Sequence, residues 1–168
     1  MEKPEEKVIG YKCFNKGLTN RYGYQFEVGK TYHCDKEIQF GNDGHGFHMC
    51  KRLEDTFRYF DTTNGEIDIC VVTGFGTIHK IDDEYNGYYD MYSCEYLKIK
   101  KLLTREEIIT YGLKLSPFRA ERFIQTLSMT PEEVNLFKEK FKNNKELLDY
   151  IAYYQEQDKE VFNRKKGR

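Results

Sequence analysis

The sequence predicts an α+β protein: a split antiparallel or mixed sheet with short helices over residues 8–103, then a helical C-terminal segment over 104–168. Three observations carry this. Ile67-Asp68-Ile69-Cys70-Val71-Val72-Thr73 is a nearly continuous β-branched run, the pattern of a strand covered on both faces. Shorter stretches before and after it, such as Cys94-Glu95-Tyr96-Leu97-Lys98-Ile99, alternate at period two. From Thr104 onward the pattern changes to helix start signals and apolar stripes three and four residues apart.

Taken in order, Val8 to Phe14 reads as a first strand, and Asn15 to Tyr22 as a polar turn region. Tyr24 to Val28 alternates, and Gly29-Lys30 turns the chain into Thr31-Tyr32-His33-Cys34, so these two stretches are expected to form a hairpin. Gln39 to Gly46 holds three glycines and reads as a loop. Phe47 to Cys50 is a short strand. Leu53, Phe57 and Phe60 fall at helical spacing, which predicts two helical turns over 52–60. The acidic, tyrosine-rich stretch 82–92 contains Asn86-Gly87 and is expected to be a loop or hairpin tip.

In the second half, Thr104-Arg105-Glu106-Glu107 has the form of a capping box. Ser116-Pro117 and Thr130-Pro131-Glu132-Glu133 place proline at the first helical position, where its missing N–H costs nothing. Helices are therefore expected to begin near Arg105, Pro117 and Pro131, with a fourth running from about Lys145 to Phe162. Val134, Phe137 and Phe141 form one apolar stripe; Leu147, Leu148, Ile151 and Tyr154 form another.

At 168 residues the chain can bury about 70% of its unfolded surface, so a core needs no covalent staples. The formal net charge of −1 argues against a global basic surface for nucleic acid or anionic lipid. Five cysteines, an odd number without Cys-x-x-Cys spacing or a secretory leader, point to free thiols and a cytoplasmic protein. No apolar run reaches the length of a membrane span.

His45, His48, Cys50 and His33-Cys34 suggest zinc only weakly, because no second pair has ligand spacing; the expectation is no metal. A cysteine nucleophile is equally unsupported, since five cysteines on predicted strands read as small core residues. The stronger constellation is His48 on a strand and Tyr59 on the following helix, two rings able to line opposite walls of a cleft, with the carboxylate of Glu95 on a later strand.

In this order, Gly46-Phe47-His48, Tyr59 and Cys94-Glu95-Tyr96 resemble motifs of the ADP-ribosyltransferase superfamily, with Tyr11-Lys12-Cys13-Phe14 in place of its first motif. The stretch 24–32 with 46–50 is also similar to an uncharacterised small domain of phage and bacterial proteins. The first resemblance implies that NAD is a substrate, with nicotinamide held by His48 and Tyr59. It implies that Lys12 contacts ribose or phosphate, and that Glu95 assists glycosidic cleavage toward an unknown protein or nucleic-acid acceptor. Lysine replaces the usual His or Arg of the first motif, and a point charge does not reproduce a planar fork. The alternative is a non-catalytic binding or inhibitor module of phage type, acting through Tyr85, Tyr88, Tyr89 and Tyr92 and through a partner of the C-terminal helices.

Overall fold

The computed structural model describes residues 6–39, 44–59, 67–83 and 88–166. The chain divides into two compact units, residues 1–103 and 104–168. The first is an antiparallel five-stranded sheet: β1 (Lys7–Asn15), β2 (Thr31–His33), β3 (Phe47–Cys50), β4 (Ile67–Asp83) and β5 (Tyr88–Leu102). The second holds α1 (Arg105–Leu113), α2 (Pro117–Thr126), α3 (Pro131–Lys140) and α4 (Lys145–Lys166). The class is α+β, as the sequence predicts.

The strand order is β2-β5-β3-β1-β4, and β4 also pairs with β5. The pairing therefore closes into a ring of β5, β3, β1 and β4, with β2 added along β5. The β-branched run of β4 has β1 on one edge, from Ile9 opposite Thr73 to Asn15 opposite Ile67, and β5 on the other. Its apolar character follows, because Ile69, Cys70 and Val72 are buried. The ring encloses Phe14, Met49, Val72, Tyr92, Cys94, Leu97 and Ile99, capped by Phe26.

Closure needs small residues. β3 meets β1 where Tyr11 lies opposite Cys50. A Cβ on the adjacent Gly10 would overlap the Cys50 carbonyl oxygen and lie 2.8 Å from Met49 Cε. Gly74, across from Val8 on β4, leaves room for the Met49 and Cys94 sulfurs. Two glycines thus make space for one methionine at the centre of the ring.

Two local expectations are corrected. Tyr24 to Val28 forms no hairpin strand; Gln25 makes only an isolated bridge to Thr19. The Gly29 amide donates to Ile99 O and Lys30 O accepts from the Ile99 amide. That exchange aligns β2 with β5, Thr31 opposite Lys98 and His33 opposite Tyr96. The helix expected over 52–60 is a 3₁₀ helix, Leu53–Tyr59. Its Thr56 hydroxyl donates to Leu53 O at 2.7 Å, the local bonding by which threonine competes with α-helical pairing. The Asn86-Gly87 tip and Tyr85 lie outside the described residues, as do the side chains of Tyr88 and Tyr89.

The helical unit follows its local signals. Thr104 and Thr130 each complete a capping box, with Glu107 and Glu133. Asn144 caps α4 by accepting the Leu147 amide at 3.0 Å. Phe123 is fully buried and stacks on Phe137 at 5.7 Å between centroids. Arg105 grips the Glu133 carboxylate with two N–H groups, at 2.8 and 3.0 Å, tying α1 to α3. No helix among the described residues is long and apolar enough to cross a membrane.

Candidate functional site

Lys12 is central in β1 and points toward the ring interior with Phe14; its ammonium stands 5.8 Å from the Phe14 ring centroid. It donates to the His48 carbonyl oxygen at 2.6 Å. Lys12 and His48, distant in sequence, are therefore joined by the β1–β3 closure. Burial pushes Lys12 down to about 8; the Arg21 guanidinium lowers it further, while the thiols of Cys50, Cys13 and Cys94 oppose the fall. No carboxylate is hydrogen-bonded or ion-paired to Lys12 among the described residues. Two of its three N–H donors remain beyond the His48 contact.

His48 lies opposite Ser93, on the outward side of β3 from Met49. Its ring is half-buried. Burial lowers it to about 4, the charges of Lys12 and Arg21 lower it too, and a hydrogen bond to the Gly46 backbone opposes them. The imidazole is thus neutral near pH 7, a flat ring beside cationic neighbours. Gly46 adopts φ +113°, and a Cβ there would collide with the Ser93 side chain. Glycine at this point is a steric requirement of the strand start.

Tyr59 closes the 3₁₀ helix that packs on β1 and β3, but its side chain lies outside the described residues. The inward alternation of β5 slips between Cys94 and Leu97, opposite a bulge in β4 between Phe75 and Ile78. Glu95 occupies that slip. Its carboxylate accepts the Thr77 amide at 3.1 Å and contacts His33 Nε2 at 2.9 Å. The Thr77 amide first, and then the His33 bond, hold it below the usual carboxylate range. Beside it the rings of His33, Tyr96 and Phe75 stack in sequence, with centroids 4.4 and 4.9 Å apart. The structure brings Lys12 to His48 and Glu95 to His33; Glu95 makes no contact with Lys12.

The profile of one family, described as Domain of unknown function (DUF7666), matches residues 8–111. The chain belongs to the DUF7666 family. The match takes in the sheet apart from Lys7 and most of α1. No curated protein and no solved structure matches the chain.

Two features of this DUF7666 domain escaped sequence reasoning. Arg21 lies in a turn that carries no catalytic motif, yet its charge acts on both Lys12 and His48. His33 reads in sequence as a hairpin residue and becomes the partner of Glu95 because β2 pairs with β5. An isolated Arg–Tyr pair in a polar loop was the available signal for Arg21; His33 carried only a weak zinc signal, and nothing in the sequence marked it as the partner of Glu95.

The thiols offer little nucleophilic chemistry. Burial drives Cys13 and Cys70 up to about 12 and Cys94 to about 11. All five cysteines are free. No cluster of three or more His, Cys, Asp or Glu among the described residues is placed to hold a metal ion.

Proposed function

We propose that the DUF7666 domain binds a phosphate-bearing nucleotide of the NAD class through the cations Lys12 and Arg21, with His48 on the adjoining strand β3. The observation that carries this reading is the uncompensated positive charge. Arg21 opposes protonation of Lys12, no carboxylate relieves it, and two ammonium donors remain for an anion's oxygens. A diphosphate there would raise Lys12 back toward its ordinary value, and that differential is binding energy. The neutral His48 ring supplies a stacking edge for a planar base.

ADP-ribosyl transfer is the enzymatic extension of this reading. The bond between the ribose anomeric carbon and nicotinamide nitrogen breaks, nicotinamide leaves with the bonding electrons, and an acceptor nucleophile bonds to that carbon and releases its proton. Glu95 is the carboxylate assigned to the developing positive charge. It is ionised, and 27% of its side chain is exposed.

Calorimetric titration with NAD tests the binding step. Saturable binding that weakens about tenfold or more in Lys12→Met and Arg21→Gln supports it, one charge-assisted contact being worth about 1.5–3 kcal/mol. Absence of heat at millimolar NAD overturns it. Transfer of labelled ADP-ribose by wild type but not by Glu95→Gln supports catalysis.

A specific observation favours a second reading, a non-catalytic binding module. The Glu95 carboxylate is already committed to His33 and Thr77. NAD binding without transfer, with Glu95→Gln binding as tightly as wild type, would select that reading.

A further inference from the structure

The turn between β1 and β2 carries a surface that shares Arg21 with the nucleotide reading but adds exposed rings that the reading does not use. Asn20 Oδ1 accepts both the Tyr22 and Tyr24 amides, each at 2.9 Å, and the Gly23 amide donates to Asn20 O at 3.0 Å. Gly23 sits at φ +81°, a conformation that glycine adopts without a Cβ penalty. The turn therefore presents two tyrosines from a fixed backbone. They are 78% and 54% exposed, large values for aromatic rings. Tyr24 is braced from below by edge contacts to Phe26 and Tyr32, at 5.0 and 6.1 Å between centroids. The Arg21 guanidinium lies 5.2 Å from the centroid of the Tyr22 ring.

The charge around these rings is one-sided. Glu27 is paired with Lys30. Asp68 accepts the Gly17 and Leu18 amides, at 2.7 and 3.2 Å. Lys16 and Arg21 are exposed, and neither has a carboxylate partner among the described residues. Braced aromatic faces with Arg21 against one ring, and an exposed Lys16 a few residues earlier in the chain, match the chemistry of a single nucleic-acid strand: bases stack on rings and phosphates meet the cations. An acidic peptide would satisfy the cations but leave the exposed rings without planar partners.

We infer that this turn is a docking surface for single-stranded nucleic acid, with Tyr22 and Tyr24 stacking bases and Lys16 and Arg21 contacting phosphates. The strand is read by stacking and charge, so little sequence preference is expected beyond base-stacking strength.

The test is fluorescence anisotropy of the full chain with a labelled short oligothymidylate. Binding should be saturable at low salt, with a log–log salt slope of about −1.4, two phosphates at about 0.7 each. Tyr22→Ala/Tyr24→Ala should weaken it by about tenfold or more, while Tyr22→Phe/Tyr24→Phe retains it. Arg21→Gln should bring the slope to about −0.7. Both rings are solvent-facing, and an unchanged melting curve of the double-alanine variant separates lost docking from lost folding. Lys12→Met should weaken NAD binding about tenfold or more yet leave oligonucleotide affinity unchanged, so the two readings fail separately. Three outcomes overturn the inference: no saturable binding, binding indifferent to the double-alanine change, or competition by polyglutamate as effective as by unlabelled oligonucleotide. The last would assign the surface to an acidic protein.

Discussion

The two units are built by opposite routes. In the helical unit each element announces itself: Thr104, Thr130 and Asn144 cap the helices that follow them, and proline occupies the first position of α2 and α3. In the sheet unit the decisive contacts span long sequence distances. Lys12 bonds to His48, β1 to β4, and His33 to Glu95. Caps act within four residues, whereas strand ring closure must overcome the entropy of long loops before its contacts reward it. The helical unit should therefore be sensitive at its core and tolerant of cap loss. The sheet unit should be sensitive wherever two backbones approach.

The largest expected effect is on the helical side. Phe123→Ala empties the position that stacks on Phe137 and packs against Gly112, and should destabilise this unit by about 3–5 kcal/mol. Urea unfolding followed by helical circular dichroism measures it; a loss below about 1 kcal/mol would mean that the core can collapse around the gap. Next comes Gly10→Ala on the sheet side, expected to cost about 3 kcal/mol because its new methyl meets the Cys50 backbone rather than a movable side chain. An unchanged denaturation midpoint would refute the close approach of β3 to β1.

A third experiment uses pH. His48 is lowered to about 4 from an ordinary 6.5, first by burial. The unfolded chain then binds the proton more readily, so the stabilisation is full above about 6.5 and is lost as pH falls toward about 4. Relative to His48→Gln, wild type should lose about 1–2 kcal/mol over that interval after allowance for solvent screening. Parallel pH profiles for the two proteins would contradict the assignment. Lys12 works in the alkaline range with the same sign: its folded value near 8 means that its contribution to stability rises as pH climbs from about 8 toward 10.5. Lys12→Met should remove that contribution, read as the difference between the two proteins' stability profiles from pH 8 to 9, since the buried thiols that begin to ionise in the unfolded chain over this range act on both alike. The smallest effect is expected for Thr130→Ala, about 1 kcal/mol from the lost cap, read as a small shift of the helical transition.

Much of this architecture was legible in the residues. The helices start at Arg105, Pro117, Pro131 and Lys145, where their caps and prolines place them. The run from Ile67 is a central strand with Ile69 and Cys70, on opposite faces, both buried, as its nearly continuous apolar character implies. The stretch 24–28 misled because alternation there reflects aromatic packing: Phe26 plugs the ring while Tyr24 lies at its rim. Periodicity cannot separate a strand from an extended loop whose alternate rings happen to pack. The 3₁₀ helix was visible as a helix but not in type, because Thr56 diverts the Leu53 carbonyl through its own hydroxyl.

At the candidate site the same division holds. Lys12, His48 and Glu95 could be singled out by residue type and order, and the β1–β3 closure unites the first two. The partner of Glu95 depends on the β4 bulge and on the pairing of β2 with β5, both properties of strand register. The influence of Arg21 on Lys12 and His48 depends on how a turn folds back over a strand. By itself the sequence determined the α+β class, the helix starts and the buried strand, because capping, proline geometry and apolar periodicity act over a few residues. Only the tertiary structure decided that the sheet closes through Gly10 and Gly74, that Lys12 lies among thiols without a carboxylate, and that Glu95 answers to His33. Those outcomes are set by which distant backbones approach, a balance of packing and loop entropy that no short window of sequence contains.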